Sequence, residues 1–296
     1  MTAVSLFKSM RPPFLVLPPV CVLLGIGAAV RADALIDIGL ATAILMGAML
    51  AHMSVNLLNE YADFKSGLDL NTLKTPFSGG SGALVSDPGA ARAVLFAGVF
   101  TLSLVALLGL YIVAQRGPAI LPIGLLGVAV VLAYTPWLNR NPWLCLIAPG
   151  LGFGPLMVGG TYVALTGHYA PAPFAVSLVP FFLVSNLLLL NQYPDVDADR
   201  RAGRYHAPIA YGLGVSTKIY TAFAAFTALS VAGCVLTGIM PPLGWVALVP
   251  LAATLRIVAS MRAFRGDVGA LLPAMGMNVA VSVSTPLVCA LAMLFG

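Results

Sequence analysis

Several stretches of this chain run well past 18 residues without an Asp, Glu, Lys or Arg, and nothing else narrows its possible folds as much. A helix of about 18–20 apolar residues matches the hydrocarbon core of a bilayer. In lipid the backbone N–H and C=O groups find no water, so they must pair within helices. Hydrophobic residues make up 60% of the 296-residue sequence and charged residues 8%, too little polar surface for a soluble protein of this size. The chain reads as an all-α polytopic membrane protein. Its spans fall at roughly 12–30, 34–62, 91–114, 118–138, 143–166, 172–194, 214–238, 241–261 and 269–294, nine transmembrane helices in one bundle.

The first run follows Lys8 and Arg11 and carries no convincing small-residue cleavage pattern, so it reads as a retained span and not a signal peptide. Cys21, Cys145, Cys234 and Cys289 are scattered through apolar runs with no metal-ligand spacing and read as small packing residues. With the N-terminus in the cytoplasm, all Lys and Arg except Arg31 and Arg116 fall on the inner side. That is the positive-inside pattern of a bacterial inner-membrane protein or its equivalent. Because the basic residues are confined to short loops, nucleic acid is excluded as a partner; the surroundings are membrane lipid.

One pentapeptide occurs twice. Asn59-Glu60-Tyr61-Ala62-Asp63 returns as Asn191-Gln192-Tyr193-Pro194-Asp195, 132 residues on, and the same offset pairs Pro76 with Pro208. On a helix, Asn56, Asn59 or Glu60, and Asp63 share one face, and so do Asn191, Asp195 and Asp199. Gly67 then releases the chain, so that Asp69 can fold back over the first face. The repeat implies two four-helix pseudo-repeats, approximately 12–138 and 143–262, with a ninth helix left over, all in a single domain over 1–296. Both motifs end even-numbered spans, so the active site is expected at the cytoplasmic mouth.

Carboxylates near a membrane need compensation. Asp63, Asp69, Asp195 and Asp199 form an oxygen-only set suited to Mg²⁺, which takes a few carboxylates together with phosphates and water. Lys74, Arg92, Arg140, Arg200, Arg201 and Arg204 lie on the same side and can donate to phosphate oxygens. The Gly- and Ser-rich loop 78–82 either forms an anion-binding nest or is a flexible connector. A diphosphate head and a hydrocarbon tail, as in a polyprenyl diphosphate, suit an acidic mouth above apolar helices. Two Mg²⁺ bridging that diphosphate would assist its departure in a site shielded from water.

With these residues in view, the chain resembles the UbiA superfamily of intramembrane prenyltransferases, whose members have nine helices and Asp-rich motifs on helices 2 and 6. Asn59-Glu60-x-x-Asp63 with Asp69 resembles the first motif, with Glu60 standing where Asp is usual, and Asp195-x-x-x-Asp199 resembles the second. Arg11-Pro12 and Tyr134-x-Pro136 with Arg140 resemble two further family segments. Phe153-Gly154-Pro155 through Thr166-Gly167 is similar to the 1,4-dihydroxy-2-naphthoate branch. The resemblance implies Mg²⁺-dependent transfer of a polyprenyl group to an aromatic, quinone-precursor acceptor, including 1,4-dihydroxy-2-naphthoate in menaquinone biosynthesis. It implies catalysis by Asp63, Asp69, Asp195 and Asp199, and metal binding by these with Asn59, Glu60 and Asn191. Substrate contacts are expected from Arg11, Asn56, Lys74, Tyr134, Arg140, Arg204 and His206.

Competing readings are transfer to another acceptor, such as a lipid or sugar phosphate, and a transporter with intramembrane carboxylates. Asp197 points away from the acidic stripe and reads as solvated. His52, one turn before Asn56, reads as a packed, hydrogen-bonded histidine.

Overall fold

The computed structural model describes residues 2–70 and 72–296, and these form helices and turns with no strand. Seven helices are long and apolar enough to cross a membrane, and an eighth crossing arises if Thr2–Phe14 and Leu17–Arg31, bent by 47°, count as one. Every expected span contains a helix. The segment Pro118–Tyr134 is apolar but shorter than a full crossing.

Local chemistry starts these helices. Asp37 Oδ1 accepts from Leu40 N–H and opens Ile38–Lys65, while Asp267 does the same for Val268–Phe295 through Ala270 N–H. Asn141 accepts from Trp143 and Leu144 N–H, with Pro142 at the first helical position, where a missing N–H costs nothing.

Pairs of helices then pack along each other: Ile38–Lys65 with Ala91–Arg116, Leu17–Arg31 with Val268–Phe295, and Pro171–Asn191 with Ala207–Leu236. Pro171–Asn191 is central. On one side it meets Gly150 and Gly154, and a Cβ added at Gly154 would stand 2.5 Å from the Ser177 carbonyl. Small residues four apart allow such backbone approach in lipid, where packing replaces hydrophobic drive. On its other side Asn186 donates to the Tyr220 carbonyl, Tyr220 OH to Asn278 Oδ1, and Asn278 back to the Asn186 carbonyl at 2.8–3.1 Å. Three buried helices are thereby laced by polar bonds that lipid cannot offer.

Two irregularities shape the interior. Residues Gly152–Gly159 are π-helical around Pro155, whose missing N–H breaks the regular ladder. The helix Ala207–Leu236 is kinked at Gly212, which takes φ 76° and ψ 165°.

Candidate active site

The first motif rides on the unbroken helix Ile38–Lys65, and Asn56, Asn59 and Asp63 line a cavity between the helices. Asn59 accepts from Arg11 Nη2 at 3.3 Å and donates to Thr135 Oγ1 at 3.2 Å. Arg11 holds a left-handed backbone, φ 53°, at the bend before Pro12, and its guanidinium lines the same cavity. Asn56 donates to the Met10 carbonyl at 3.1 Å and lies 3.3 Å from His52 Nε2. His52 is indeed hydrogen-bonded, but it also lines the cavity, edge-on to Phe153. Beyond the helix Gly67 takes φ +77°, and the turn Leu68–Leu70 returns Asp69 to the cavity, buried.

The second motif departs from its expected single stripe. Its helix stops at Asn191, a turn covers 192–195, and a new short helix, Val196–Arg201, carries Asp199. Pro194 is the physical reason: it has no N–H to continue the ladder and disfavours a helical residue before it. Asn191, Asp195 and Asp199 nevertheless all line the cavity. Asp197 lies on the exposed side with Arg200 at 3.8 Å.

Two cross-links join the motifs. The Arg204 guanidinium bonds Asp63 Oδ1 of the first motif and Asp199 Oδ1 of the second, the latter at 3.0 Å. Burial opposes the charge of Arg204, and the two carboxylates more than restore it, so the group stays a cation. His206 Nε2 donates to the other Asp199 oxygen at 2.9 Å. The second link is the glycine loop, where Gly79 and Gly80 take φ +80° and +75°. Gly79 N–H donates to Asp195 Oδ2 at 3.0 Å, and a Cβ on Gly80 would stand 2.5 Å from Asp69 Oδ1. Asp69 and Asp195 therefore meet across adjacent glycines. Two loop N–H groups serve two different carboxylates, Gly79 bonding Asp195 and Ser81 bonding Glu60.

These neighbours shift the acids. Burial, with Glu60 and Asp63 nearby, pushes Asp69 up to about 7. Burial and Asp199 push Asp195 up to about 7, against the pull of the Gly79 bond.

Three expected site residues lie elsewhere. Glu60 is fully buried and accepts from Ser81 N–H at 3.1 Å and from the Ser81 hydroxyl; it anchors the glycine loop and is not on the cavity wall. Lys74 is exposed and lies over Gly82, and Arg140 is exposed at the end of the turn Leu138–Arg140. Neither lines the cavity, because each sits on the solvent side of a short turn. Tyr134, Arg204 and His206 do line it. So do Gln192, Cys145 and Asn139, which the sequence reading passed over. Gln192 had one signal, its place inside the repeated pentapeptide; Asn139 and Cys145 had none.

The cavity has a volume of about 610 Å³. Below the polar mouth its wall is apolar, from residues such as Val105, Val128, Leu156 and Leu187. Its oxygens suit a hard cation. Asp69 Oδ2, Asp195 Oδ1 and Asn191 Oδ1 are buried without a hydrogen-bond donor, and four carboxylates face only two arginines, Arg11 and Arg204. Among the described residues no group of three His, Cys, Asp or Glu converges on one point. A Mg²⁺ held here would take one or two of these carboxylates and complete its shell with phosphate and water.

Buried acids and arginines at the head of an apolar cavity, in a bundle of membrane-length helices, define an integral membrane protein with one polar-headed apolar cavity. The UbiA prenyltransferase family profile matches residues 17–281, and the chain belongs to that family. It is 28% identical over 216 residues to 1,4-dihydroxy-2-naphthoate octaprenyltransferase of Bacillus subtilis (strain 168), a match covering 70% of this chain. The chain spans 66% of that relative's length, just under two thirds. Among solved structures, a UbiA homologue from Archaeoglobus fulgidus bound to DMAPP and Mg²⁺ superposes with a TM-score of 0.68 at 16% identity, over 98% of this chain and 99% of that one. A digeranylgeranylglyceryl phosphate synthase structure gives 0.67 at 13% identity over 99% of each. An Aeropyrum pernix K1 UbiA homologue gives 0.64 at 17%, over 93% and 96%.

Proposed function

We propose that the protein transfers a polyprenyl group from its diphosphate to an aromatic, quinone-precursor acceptor within the membrane. The observation that carries this reading is that four buried carboxylates and two arginines line the polar end of one otherwise apolar cavity, with Arg204 bonding both motifs. Arg11 and Arg204 donate to the diphosphate oxygens, and Asn56 and Asn59 fix Arg11 and the chain around it. Asp63, Asp69, Asn191, Asp195 and Asp199 would hold Mg²⁺, which would supply charge neutralisation for the departing diphosphate. The apolar wall takes the polyprenyl tail and keeps water from the reacting carbon. There the C1–O bond breaks with its electron pair on the diphosphate. A ring carbon of the acceptor supplies the pair for the new C–C bond, and the proton it loses passes to the departing diphosphate.

On this reading the chain is one domain of two four-helix pseudo-repeats with a ninth helix, and 118–134 and the bent N-terminal pair each complete a crossing. The N-terminus and the site face the cytoplasm, and these acids would hold two Mg²⁺ with the diphosphate. The name of the Bacillus relative favours 1,4-dihydroxy-2-naphthoate as acceptor. Transfer to a glycerol-phosphate lipid is the second reading, favoured by the likeness to the digeranylgeranylglyceryl phosphate synthase structure. Purified protein is incubated with radiolabelled prenyl diphosphate, Mg²⁺ and each acceptor in turn. Label in the aromatic product that vanishes with EDTA is the expected result; label only in a glycerol-phosphate lipid, or none in any product, overturns the aromatic assignment.

A further inference from the structure

Gln192 stands in the repeat where Glu60 stands in the first motif, yet it turns the other way. Its side chain is 93% buried (7% exposed) and lies on the cavity wall. Nε2 is held by Cys145 Sγ at 3.3 Å. Oε1 has no donor in the protein. A buried amide oxygen left without a partner carries a desolvation penalty that a donor on a ligand would remove.

The chemistry of the surroundings decides which ligand that is. A diphosphate offers oxygens that accept hydrogen bonds, so it is matched by Arg11 and Arg204 and mismatched to Oε1. A polyprenyl tail offers nothing polar. Mg²⁺ is matched by the carboxylates and Asn191 Oδ1 at the mouth, whereas Gln192 is held on the Cys145 side of the wall; the remaining reactant is the acceptor, and a ring hydroxyl is a donor. The wall beside Gln192 suits a flat ring. Cys145, Ala148, Pro149, Gly152 and Phe153 follow down one helix onto the cavity, about 12 Å from Cys145 to Phe153 at helical rise. Phe153 meets the His52 ring edge-on at 5.1 Å, giving that wall an aromatic floor.

We propose that Gln192 determines acceptor specificity: with its NH₂ group fixed on Cys145, its Oε1 accepts a hydrogen bond from a ring hydroxyl of the acceptor. The inference rests on the prenyltransferase reading and names the acceptor class within it, a hydroxylated aromatic ring. Gln192 is here a substrate-orienting group, distinct from the carboxylates that hold the head.

The full chain in lipid nanodiscs is assayed with 1,4-dihydroxy-2-naphthoate and with its two mono-methyl ethers. Wild type is expected to prefer the free diol over one of the ethers by at least about tenfold in kcat/KM, as one lost hydrogen bond to a buried group implies. Gln192→Leu raises the KM for the diol and abolishes that preference, while KM for prenyl diphosphate and the Mg²⁺ half-saturation stay at wild-type values. Gln192→Glu keeps an accepting oxygen and keeps the preference, which covers the case where the Leu variant fails to fold. Calorimetric binding of prenyl diphosphate reports folding separately from acceptor recognition. The proposal is overturned if Gln192→Leu retains the discrimination, or if its defect lies in prenyl diphosphate or Mg²⁺ and not in the acceptor. A wild-type protein that binds prenyl diphosphate but prenylates no aromatic ring overturns the underlying aromatic reading instead, and this inference with it.

Discussion

The two acidic motifs share Asn, Tyr and Asp and differ at two positions, of which the second, Ala62 against Pro194, decides their shape. Ala62 in the first lets the helix run past Asp63 to Lys65; Pro194 in the second ends the helix at Asn191. The first motif therefore reaches the cavity as one rigid helical face, with Asp69 returning from a loop. The second reaches it in three pieces: a helix end, a turn, and a short helix. A duplicated motif thus builds an asymmetric site, and the cross-links compensate for the difference. Arg204 ties the rigid Asp63 to Asp199, and the glycine loop bonds Asp195 through Gly79 while Gly80 packs closely on the returning Asp69.

The comparison is broken most severely by removing its carboxylates. Asp63→Ala or Asp195→Ala is expected to lower kcat/KM by about 10³-fold, the scale of losing a preorganised electrostatic group, with the protein still inserted and monodisperse. Arg204→Gln comes next. It leaves Asp63 and Asp199 without their cation and costs about 3 kcal/mol of stability in EDTA. Added Mg²⁺ should recover part of that loss in thermal melts, because the metal replaces the missing charge; no recovery would argue against the acids as a metal site.

Proton linkage gives a smaller effect. With both near 7, Asp69 and Asp195 are largely protonated at pH 6 and ionised at pH 8. A raised acid pKa disfavours the charged form, so Mg²⁺ must displace protons to bind at pH 6 and has few to displace at pH 8. Mg²⁺ affinity is expected to rise between pH 6 and 8, and calorimetry in buffers of different ionisation enthalpy should show proton release at the lower pH. The smallest effect separates Glu60 from Asp69. Glu60→Gln should cost less than about tenfold in activity and leave Mg²⁺ half-saturation unchanged, since Glu60 serves Ser81; Asp69→Asn should raise the Mg²⁺ requirement.

How much of this was legible beforehand follows from the range of each interaction. The helices were readable because an apolar stretch of membrane length has only one way to satisfy its backbone. Asp63, Asp69, Asp195 and Asp199 were readable because charge is scarce here and the motif recurs. Helical spacing gives Glu60 the same face as Asn59, and only the tertiary fold brings Ser81 beneath it. Sharing a membrane side with the motifs likewise does not place Lys74 and Arg140 on the cavity wall. The break at Pro194 was visible in one residue, and the regular i, i+4, i+8 spacing of Asn191, Asp195 and Asp199 hid it. Gln192 lies in the turn that follows one helix and Cys145 in another helix, and they meet only through packing.

The central claim is that the two motifs act as one grip on one diphosphate. It is tested most directly by calorimetric binding of a non-hydrolysable prenyl diphosphate with Mg²⁺ to wild type, Asp63→Asn, Asp195→Asn and the double variant. If the motifs grip together, either single change removes most of the binding free energy and the double variant is scarcely worse, a strong coupling. Strictly additive losses, or near wild-type binding after either single change, would mean that the acids serve separate sites and would contradict the claim.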